Sequence, residues 1–393
     1  MDVLNSTYAI AGSRSGLLGS DRPRSSLEVE HVRTIDPEMD PRWEAFVKSH
    51  PNGLVYHHPA WIKVLEQENG DRPICLAYED AHGRLRGILP LFVTRGLPLW
   101  GRRQTVGRRL SSLPRTPIAG PLASDSEVTA ALLRAAVQQL HRHPDAVLQL
   151  KVPSHELNGL VDGLVGAPWR PTYVLEIPER PEDLHYWDAR NHSRIHWAVN
   201  KAQKFGLLVR RAETERDLQA WYALYADTMR WHAIPPRPYR FFSAAWKLLM
   251  PRGLMRLLLA EVHEARTTKL LAGAIFFMFG RTVFYSFSGM TRESLPLRPN
   301  DALQWQSIQD SCKEGFRYYD LGEVPANHWS LAKFKSKWGA EQKWLYRYFY
   351  PAPVEFESGD LAFGRGVRLA KNAWRTIPLK ATILFGDWLY RRL

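Results

Sequence analysis

Cysteine and long apolar runs are scarce in this sequence. The two cysteines, Cys75 and Cys312, are far apart, and each lies in an apolar-patterned segment. A disulfide framework is therefore not supported, and a reducing compartment is predicted. No apolar run approaches the ~20 residues of a membrane-spanning helix, and the opening MDVLNSTYAIAGSRSGLLGS lacks the basic start and apolar core of a signal peptide. These absences predict a cytoplasmic protein.

Several motifs that carry well-known chemistry are also absent. The chain has no GxSxG, HExxH, GxxxxGK[ST] or GxGxxG motif and no CxxC pair, so the sequence gives no support for a hydrolase, metalloprotease, NTPase or dinucleotide-binding enzyme. His192 and His196 have the i, i+4 spacing of a two-histidine metal face, but the pattern offers no third ligand. No metal site is predicted.

The charge is strongly positive. Lys and Arg number 53 against 40 Asp and Glu, which gives a formal net charge of +13. An anionic partner is therefore expected, and phosphates, nucleic acid and a membrane surface all satisfy that expectation. No nucleic-acid-binding motif accompanies the charge, so DNA is not among the predicted partners.

Alternating and helical patterns follow one order in the first part of the chain. ICLAYED is an apolar strand, AHGR a turn, and LRGILPLFV a second strand. After a basic loop rich in Gly and Pro, SDSEVTAALLRAAVQQLHRH has the period of an amphipathic helix, and AVLQLKV reads as another strand.

The second part repeats this order. LMRLLLAEVH and LLAGAIFFMFG are strands joined by a turn, and TVFYSFSGM follows as a third. LRPNDALQWQSIQDSCKEG supplies the helix, capped at its asparagine, and RYYDLGEV supplies the closing strand. The same plan twice predicts two tandem units of mixed α and β structure.

The predicted domain limits follow from composition. Residues 1–27 are rich in Ser, Gly and Arg without periodicity and are predicted to be a disordered leader. The two units are expected at 28–178 and 179–352, and a basic appendage at 353–393.

The stretch LAKFKSKWGAE carries three lysines in five positions. Read as a helix, it places Leu331, Phe334 and Trp338 on one apolar stripe. Lys335 then lies nearest that stripe, and Lys333 lies roughly opposite it. Read as a strand, it would put all three lysines on one face. The i, i+3, i+7 spacing and the following glycine favour the helix and an inward Lys335.

A second helical segment, WDARNHSRIHWAVNKAQKFG, has a basic flank suited to a phosphate-rich ligand. That flank consists of Arg190, Arg194, Lys201 and Lys204, and the apolar stripe beside it consists of Ile195, Ala198, Ala202 and Phe205. The alternative is an ordinary solvated helix face.

Other candidate residues lie at strand and helix ends. Arg298 and Asn300 stand at a helix N-terminus, where free backbone N–H groups favour an anion. Tyr285, with Ser286 or Ser288, is placed to line a cleft beside that turn. Asp320 ends the next strand and is either a structural acceptor for backbone N–H groups or a general base.

The order of these motifs resembles a known family. WAVNKAQKFGLLV, LLAGAIFFMFGRTVFYSFSGM, LRPNDALQWQSIQDSCKEGFRYYDLGEV and LAKFKSKWGAEQKWLYRYFY follow one another as in the Fem-type (FemA, FemB, FemX) branch of the GCN5-related N-acetyltransferase (GNAT) superfamily. The soluble FemAB-like proteins, also called CelD- or BioF2-like acetyltransferases, look most similar. The resemblance covers roughly residues 40–350 and is strongest over 270–345.

This resemblance implies an α+β fold of two tandem GNAT-like domains, each a mixed, mostly antiparallel sheet flanked by helices. It implies direct transfer of an acyl or aminoacyl group to an amine of an amino-sugar, peptidoglycan-precursor or lipid-linked acceptor. The donor would be aminoacyl-tRNA or acyl-CoA, with no tightly bound cofactor. Phe334 and Lys335 match the Phe-Lys pair that places a lysine near the transferred carbonyl in Fem enzymes, which implies a catalytic Lys335. Asp320, as the general base proposed from its place at the strand end, is the second predicted catalytic residue.

Two features depart from the family. The coiled-coil arm of some Fem enzymes is missing, because residues 205–250 are short and aromatic rather than heptad-patterned. The acetyl-CoA signature begins at Gln104 but is broken by Arg109. The broken signature leaves few free N–H groups for a pyrophosphate, which disfavours CoA as the donor. The alternative function, from another class, is a catalytically silent GNAT-fold protein that binds a glycolipid or a polysaccharide-synthesis complex.

The C-terminal stretch 365–393 has seven Lys or Arg against one Asp, with Trp and other apolar residues interspersed. This is the composition of an amphipathic segment on an anionic membrane surface, which would make the protein peripheral on the inner face of the cell membrane. The alternative is a terminal helix packed on the second domain.

Overall fold

The computed structural model describes residues 31–98, 105–143, 145–184, 189–264, 267–325, 328–352 and 365–392. The predicted leader at 1–27 lies outside these residues, as does the beginning of the predicted appendage at 353–364.

The first half contains nine strands and three helices within the described residues. They are β1 (Val32–Thr34), α1 (Pro41–Ser49), α2 (Pro59–Asn69), β2 (Ile74–Glu79), β3 (Leu85–Val93), β4 (Leu97–Pro98), β5 (Thr105–Val106), β6 (Arg109–Ser111), β7 (Leu122–Ala123), α3 (Ser126–Leu140), β8 (Val147–Val152) and β9 (Val165–Glu176).

The second half repeats the arrangement and ends in two further helices. Its elements are α4 (Ala189–Lys204), β10 (Leu207–Arg211), α5 (Glu215–Trp231), α6 (Tyr239–Leu249), β11 (Met255–Glu264), β12 (Thr267–Phe279), β13 (Thr282–Met290), α7 (Pro299–Lys313), β14 (Tyr318–Glu323), α8 (Trp329–Ser336), β15 (Glu341–Tyr350), α9 (Arg365–Thr376) and α10 (Leu379–Tyr390).

One sheet runs through both halves in the order β1-β2-β3-β6-β8-β15-β9-β14-β13-β12-β11-β10, with β7 beside β3 and a separate β4–β5 pair. Its pairs are antiparallel except β6 with β8 and β13 with β14. The predicted class, mixed and mostly antiparallel sheet flanked by helices and built twice, is confirmed.

The last strand of each half pairs with the other half. Strand β9 lies beside β14, with Val174 opposite Asp320, and β15 lies beside β8, with Arg347 opposite Lys151. The sheet is therefore continuous across the predicted boundary at residues 178 and 179. The limits of two separate domains stay a prediction.

Apolar packing also joins the halves. One core cluster combines Trp61 of the first half with Trp221 and Phe241 of the second. In another, Tyr348 of β15 packs with Leu132 of α3. The two halves thus share their cores as well as their sheet.

Two local predictions about helix ends are wrong. Helix α7 begins at Pro299 and has Arg298, not Asn300, at its N-cap, because proline suits the first helical position. Phe205 does not belong to the buried stripe of α4; the helix ends at Lys204, and Phe205 is exposed before the positive φ of Gly206.

Gly289 allows α5 to approach β13 closely. A Cβ at this glycine would lie 2.4 Å from the backbone N of Tyr225 and 2.6 Å from its Cα. Backbone atoms cannot move aside as a flexible side chain can, so the position requires glycine.

We expect Gly289→Ala to lower the free energy of unfolding by about 1–3 kcal/mol, the usual cost of overpacking. Denaturant unfolding measures this change. Thr267→Ala, at an exposed position of β12, is the control and should change stability by less than about 0.5 kcal/mol. Equal stability of both variants would contradict the close approach.

Candidate active site

The site lies where the parallel strands β13 and β14 separate. They are paired only over Thr282–Phe284 and Tyr318–Asp320. Beyond that point β14 continues beside β9, and the register shifts after Asp320. A cavity of about 450 Å³ opens there, with walls from both halves and from α10.

Asp320 lines this cavity and is buried. Its Oδ1 accepts the hydroxyl of Thr172 at 2.5 Å and the backbone N–H of Gly322 at 2.7 Å. Burial raises the pKa of Asp320, although both hydrogen bonds and the charge of Lys335 oppose that shift. A buried carboxyl group with a raised pKa, fixed in direction by two donors, is suited to accept a proton.

The matching position of the first half carries no carboxylate. In the second half, Asp320 of β14 belongs to the last of the three residue pairs that join β13 and β14. In the first half, β6 and β8 form the equivalent parallel pair, and Gln149 of β8 occupies the same place. An amide cannot serve as a general base, so the position equivalent to Asp320 in the first half cannot take the role predicted for Asp320.

Lys335 is buried on α8, as the helical interpretation predicts, whereas Lys333 is exposed. Its Nζ donates to the carbonyl oxygens of Gly322 at 2.8 Å and Glu323 at 3.0 Å. Burial lowers the pKa of Lys335 to about 8, while Asp320 and Glu323 oppose the shift. The ammonium group thus stands directly behind the cavity wall at the end of β14.

Gly322 is the link between the two groups. Its φ of 84° is in the left-handed region that favours glycine, and a Cβ there would lie 3.6 Å from the Nζ of Lys335 and 3.3 Å from the carbonyl oxygen of Tyr285. Its N–H holds Asp320 and its C=O holds Lys335. The role of Lys335 at the transferred carbonyl itself stays a prediction.

Five basic side chains line the same cavity against two acidic ones, Asp320 and Glu323. The basic residues are Arg115, Lys151, Arg170, Arg237 and Arg347. A third acid, Glu68, is buried behind the wall and accepts hydrogen bonds from Arg237 at 2.6 and 2.8 Å and from Arg115 at 3.3 Å. The lining carries an excess of positive charge.

Lys151 is the most unusual of these cations. It is buried, and its Nζ donates to the carbonyl oxygen of Leu113 at 2.7 Å. Arg347 stands directly opposite on β15 and donates to the carbonyl oxygen of Pro117 at 2.8 Å and to Glu323 at 3.3 Å. Burial first, and then the neighbouring guanidinium groups, hold the pKa of Lys151 well below its ordinary value.

The loop that accepts these hydrogen bonds has an uncommon backbone. Leu113 and Arg115 both have positive φ, 52° and 54°, which is unfavourable for residues other than glycine. In Arg115, Nε and one terminal nitrogen are buried without a hydrogen-bond partner. Two free donors beside the cavity are available to an anionic ligand.

Of the predicted substrate-binding residues, Tyr285 lines the cavity. Burial raises the pKa of Tyr285, and hydrogen bonding with Ser288 opposes that shift. Ser288 thus supports Tyr285 and does not itself line the cavity. Asn300 lies in the first turn of α7, where its Nδ2 is 3.0 Å from the sulfur of Met290.

The remaining predicted residues form a separate exposed surface, the basic aromatic surface. A shallow pocket there is lined by Arg194, Trp197, Ala198, Arg298, Asp301, Ser330, Lys333, Phe334 and Lys337. Trp197 is 51% exposed, and both Arg298 and Lys201 lie 5.1 Å from the centre of its ring. Lys204 is exposed on the last turn of α4.

The sequence prediction missed the basic lining contributed by the first half and by β15. One available signal was Lys151, a lysine inside the strand VLQLKV, whose other residues apart from Gln149 are apolar, because a buried charge is costly without a purpose. Among the residues that the structure describes, no three His, Cys, Asp or Glu side chains gather in a way that could hold a metal ion.

The carboxyl group of Asp320 lies in the cavity where the parallel strands β13 and β14 separate. A proton acceptor in such a position is suited to acyl transfer. Residues 188–335 match the acetyltransferase (GNAT) domain family. The matched segment contains Asp320 and ends at Lys335, and it bears out the prediction of an acyltransferase.

Longer matches agree with this class. The chain is 23% identical over 310 residues to the UDP-N-acetylmuramoylpentapeptide-lysine N(6)-alanyltransferase of Weissella viridescens, a match to 74% of this chain and 85% of that protein. The crystal structure of FemX superposes with a TM-score of 0.63 at 17% identity, over 81% of this chain and 97% of FemX.

A further structure with this fold is the C-terminal domain of a protein from Agrobacterium fabrum described as a lysylphosphatidylglycerol synthetase. Its TM-score is 0.53 at 12% identity, over 83% of this chain and 92% of that domain. Together the matches confirm the predicted GNAT-like fold and the predicted resemblance to the Fem-type branch.

We expect Lys335→Ala to lower kcat/KM for transfer by about 30- to 1,000-fold, which corresponds to ~2–4 kcal/mol of electrostatic stabilisation. The chain should still fold, with a lowered unfolding midpoint because two buried carbonyl groups lose their donor. Lys333→Ala, two positions away and exposed, is the matched control and should leave kcat and the unfolding midpoint unchanged, with any effect confined to the KM of the donor. Equal losses of kcat from the two variants would remove Lys335 from the site.

The pH dependence of kcat/KM should be bell-shaped. Asp320 accepts a proton only when ionised, so activity should rise as the pH passes its raised pKa. Lys335 is charged below a pKa of about 8, so activity should fall above that pH. Lys335→Met should abolish the fall at high pH, and Lys333→Met should keep it. A fall that persists in Lys335→Met would assign the upper limb to another group.

Proposed function

We propose that the chain transfers an acyl group from an activated donor to the amino group of an anionic acceptor of the cell-envelope precursor class. The observation that carries this proposal is the buried amino group of Lys151 directly opposite the guanidinium group of Arg347, where burial and the neighbouring charge both disfavour a proton on Lys151. Like charges directly opposite in a sheet are destabilising, and burial increases the cost. An acceptor with phosphate or carboxylate groups would offset that cost when it binds.

The free donors of Arg115 support the same assignment. Guanidinium groups pair with planar carboxylates and with phosphates through two hydrogen bonds, and the Nε and one terminal nitrogen of Arg115 have no partner in the structure. The name of the alanyltransferase relative, which acts on a UDP-N-acetylmuramoylpentapeptide, describes an acceptor of this anionic kind.

The chemistry assigned to the second half is a direct transfer. The acceptor amine attacks the donor carbonyl carbon and forms the C–N bond, and Asp320 takes the proton that the amine loses. The bond between the carbonyl carbon and its leaving oxygen or sulfur breaks as the leaving group departs. Lys335 stabilises the negative charge that develops near the end of β14.

The basic aromatic surface favours an aminoacyl-tRNA donor over acyl-CoA. Exposed rings flanked by cations bind single-stranded nucleic acid, because bases stack on the ring and phosphates meet the charge. Trp197 between Arg298 and Lys201 has this arrangement, and Lys333 extends the positive charge towards α8. In either case the donor is a substrate and not a tightly bound cofactor.

Trp197→Ala should raise KM for an aminoacyl-tRNA donor by about 10-fold, within the ~1–3 kcal/mol that stacking of one base contributes. Steady-state transfer to a UDP-linked muramoyl pentapeptide, followed by mass spectrometry, measures the effect. Trp344→Ala, at another exposed tryptophan outside this surface, is the control and should leave KM unchanged.

Transfer from acyl-CoA alone, with no product from charged tRNA, would overturn the assignment of aminoacyl-tRNA as the donor. The proposal that the chain is an acyltransferase would still stand. Binding of the acceptor without turnover of any donor would instead support the alternative of a non-catalytic binding protein. In that case Asp320→Asn would leave the affinity for the acceptor unchanged.

A further inference from the structure

The C-terminal helix α10 is docked on the protein through one of its faces. Thr382 is fully buried, and Leu379 and Ile383 pack against the shared core. A Cβ at Gly386 would lie 2.3 Å from the carbonyl oxygen of Pro236, so the helix backbone rests directly on that segment. This side of α10, the inner face, agrees with the predicted alternative of a terminal helix packed on the protein.

The same inner face reaches the cavity. Tyr390 is one of the residues that line it, and its ring centre lies 5.5 Å from the guanidinium carbon of Arg115. Asp387 pairs with Arg240, which fixes the helix further. Removal of residues 365–393 would therefore open the cavity wall, so truncation is not a neutral way to study this segment.

The opposite face of α10 is apolar and exposed. Leu384, Phe385 and Trp388 are 71%, 42% and 42% exposed. Phe385 contacts Trp388 at 5.7 Å between ring centres and Trp374 of α9 at 5.3 Å. We call Leu384, Phe385 and Trp388, together with the half-buried Trp374 at their edge, the outer aromatic face.

Positive charge lies beside the outer aromatic face. Seven Lys or Arg and one Asp lie between residues 365 and 393, and that Asp is engaged by Arg240 and Arg391. The guanidinium of Arg392 lies 4.4 Å from the ring centre of Trp388. The guanidinium carbon of Arg375 lies 4.8 Å from the ring centre of the exposed Trp231. A cation beside an exposed aromatic ring is therefore also present on α5.

We propose that the outer aromatic face binds the surface of an anionic lipid bilayer. Tryptophan rings and an apolar ridge suit the headgroup boundary, and the surrounding cations attract acidic headgroups. A second copy of this chain is a poor occupant, because a symmetric contact would bring two sets of seven cations together. No helix among the described residues is long and apolar enough to cross a membrane.

The membrane proposal adds a location to the proposed function, and it rests on that function only for the identity of the acceptor. Because Tyr390 and Trp388 lie on opposite sides of one helix, a bilayer against the outer aromatic face would stand roughly one helix diameter, about 10 Å, from the cavity wall. An acceptor carried on a lipid would then reach Asp320 from the surface to which the enzyme is bound.

The test is flotation of the full-length protein with vesicles of phosphatidylcholine alone or with 30% phosphatidylglycerol, a composition chosen as roughly that of an anionic leaflet. We expect binding to the anionic vesicles only, and weaker binding at high salt. The double variant Phe385→Ser/Trp388→Ser should reduce binding at least about 10-fold, while Lys380→Gln should reduce it about fivefold.

The matched control is Met39→Ser/Leu295→Ser, which removes two exposed apolar side chains elsewhere and should bind vesicles as the unchanged chain does. The unfolding midpoint of the Phe385/Trp388 double variant should change little, because neither side chain belongs to the shared core. Its transfer to a water-soluble acceptor should also stay unchanged.

Three results would overturn the membrane proposal. They are equal binding to neutral and anionic vesicles, undiminished binding by the Phe385/Trp388 double variant, and a solution dimer that this variant dissociates. Vesicle binding without transfer of any acyl group would support the membrane proposal and contradict only the proposed acyltransferase function. Failure of the membrane proposal and failure of the proposed function can therefore be distinguished.

Discussion

The exchange of the last strands between the halves is the constraint on which the site depends. Because β15 completes the sheet beside β8 and β9 completes it beside β14, the cavity wall receives Lys151 from one half, Asp320 from the other, and Arg347 from the strand that crosses. Neither half could build this lining alone. The core around α3 follows from the same exchange, since Tyr348 of β15 belongs to its packing.

The cavity concentrates features that reduce stability in the free protein. Lys151 and Arg347 are buried opposite each other, and Leu113 and Arg115 have left-handed backbone angles that cost on the order of 1–3 kcal/mol each. Backbone carbonyl groups of the 113–117 loop and the carboxylates of Glu68 and Glu323 satisfy these cations only in part. Such local costs persist at functional sites, and the proposed anionic acceptor would relieve them.

The sequence predicted what depends on local periodicity. The inward Lys335 follows from the spacing of Leu331, Phe334 and Trp338, and the paired order of strands and helices follows from alternation and turn residues. The basic lining could not be predicted because it depends on the register of β8 with β15, which joins residues far apart in the chain. The cap at Asn300 failed for a local reason, since Pro299 is the stronger signal for the first helical position.

Helix α8 connects the two substrate regions of the proposed reaction. Residues two apart on a helix point in nearly opposite directions, about 200° apart, so Lys333 faces the basic aromatic surface while Lys335 faces the end of β14. Lys337 pairs with Asp301 of α7 and holds the short helix in register with the neighbouring helix N-terminus. A donor bound at Trp197 and an acceptor bound beside Asp320 would therefore meet across one rigid turn, whose orientation the Lys335 contacts with Gly322 and Glu323 determine.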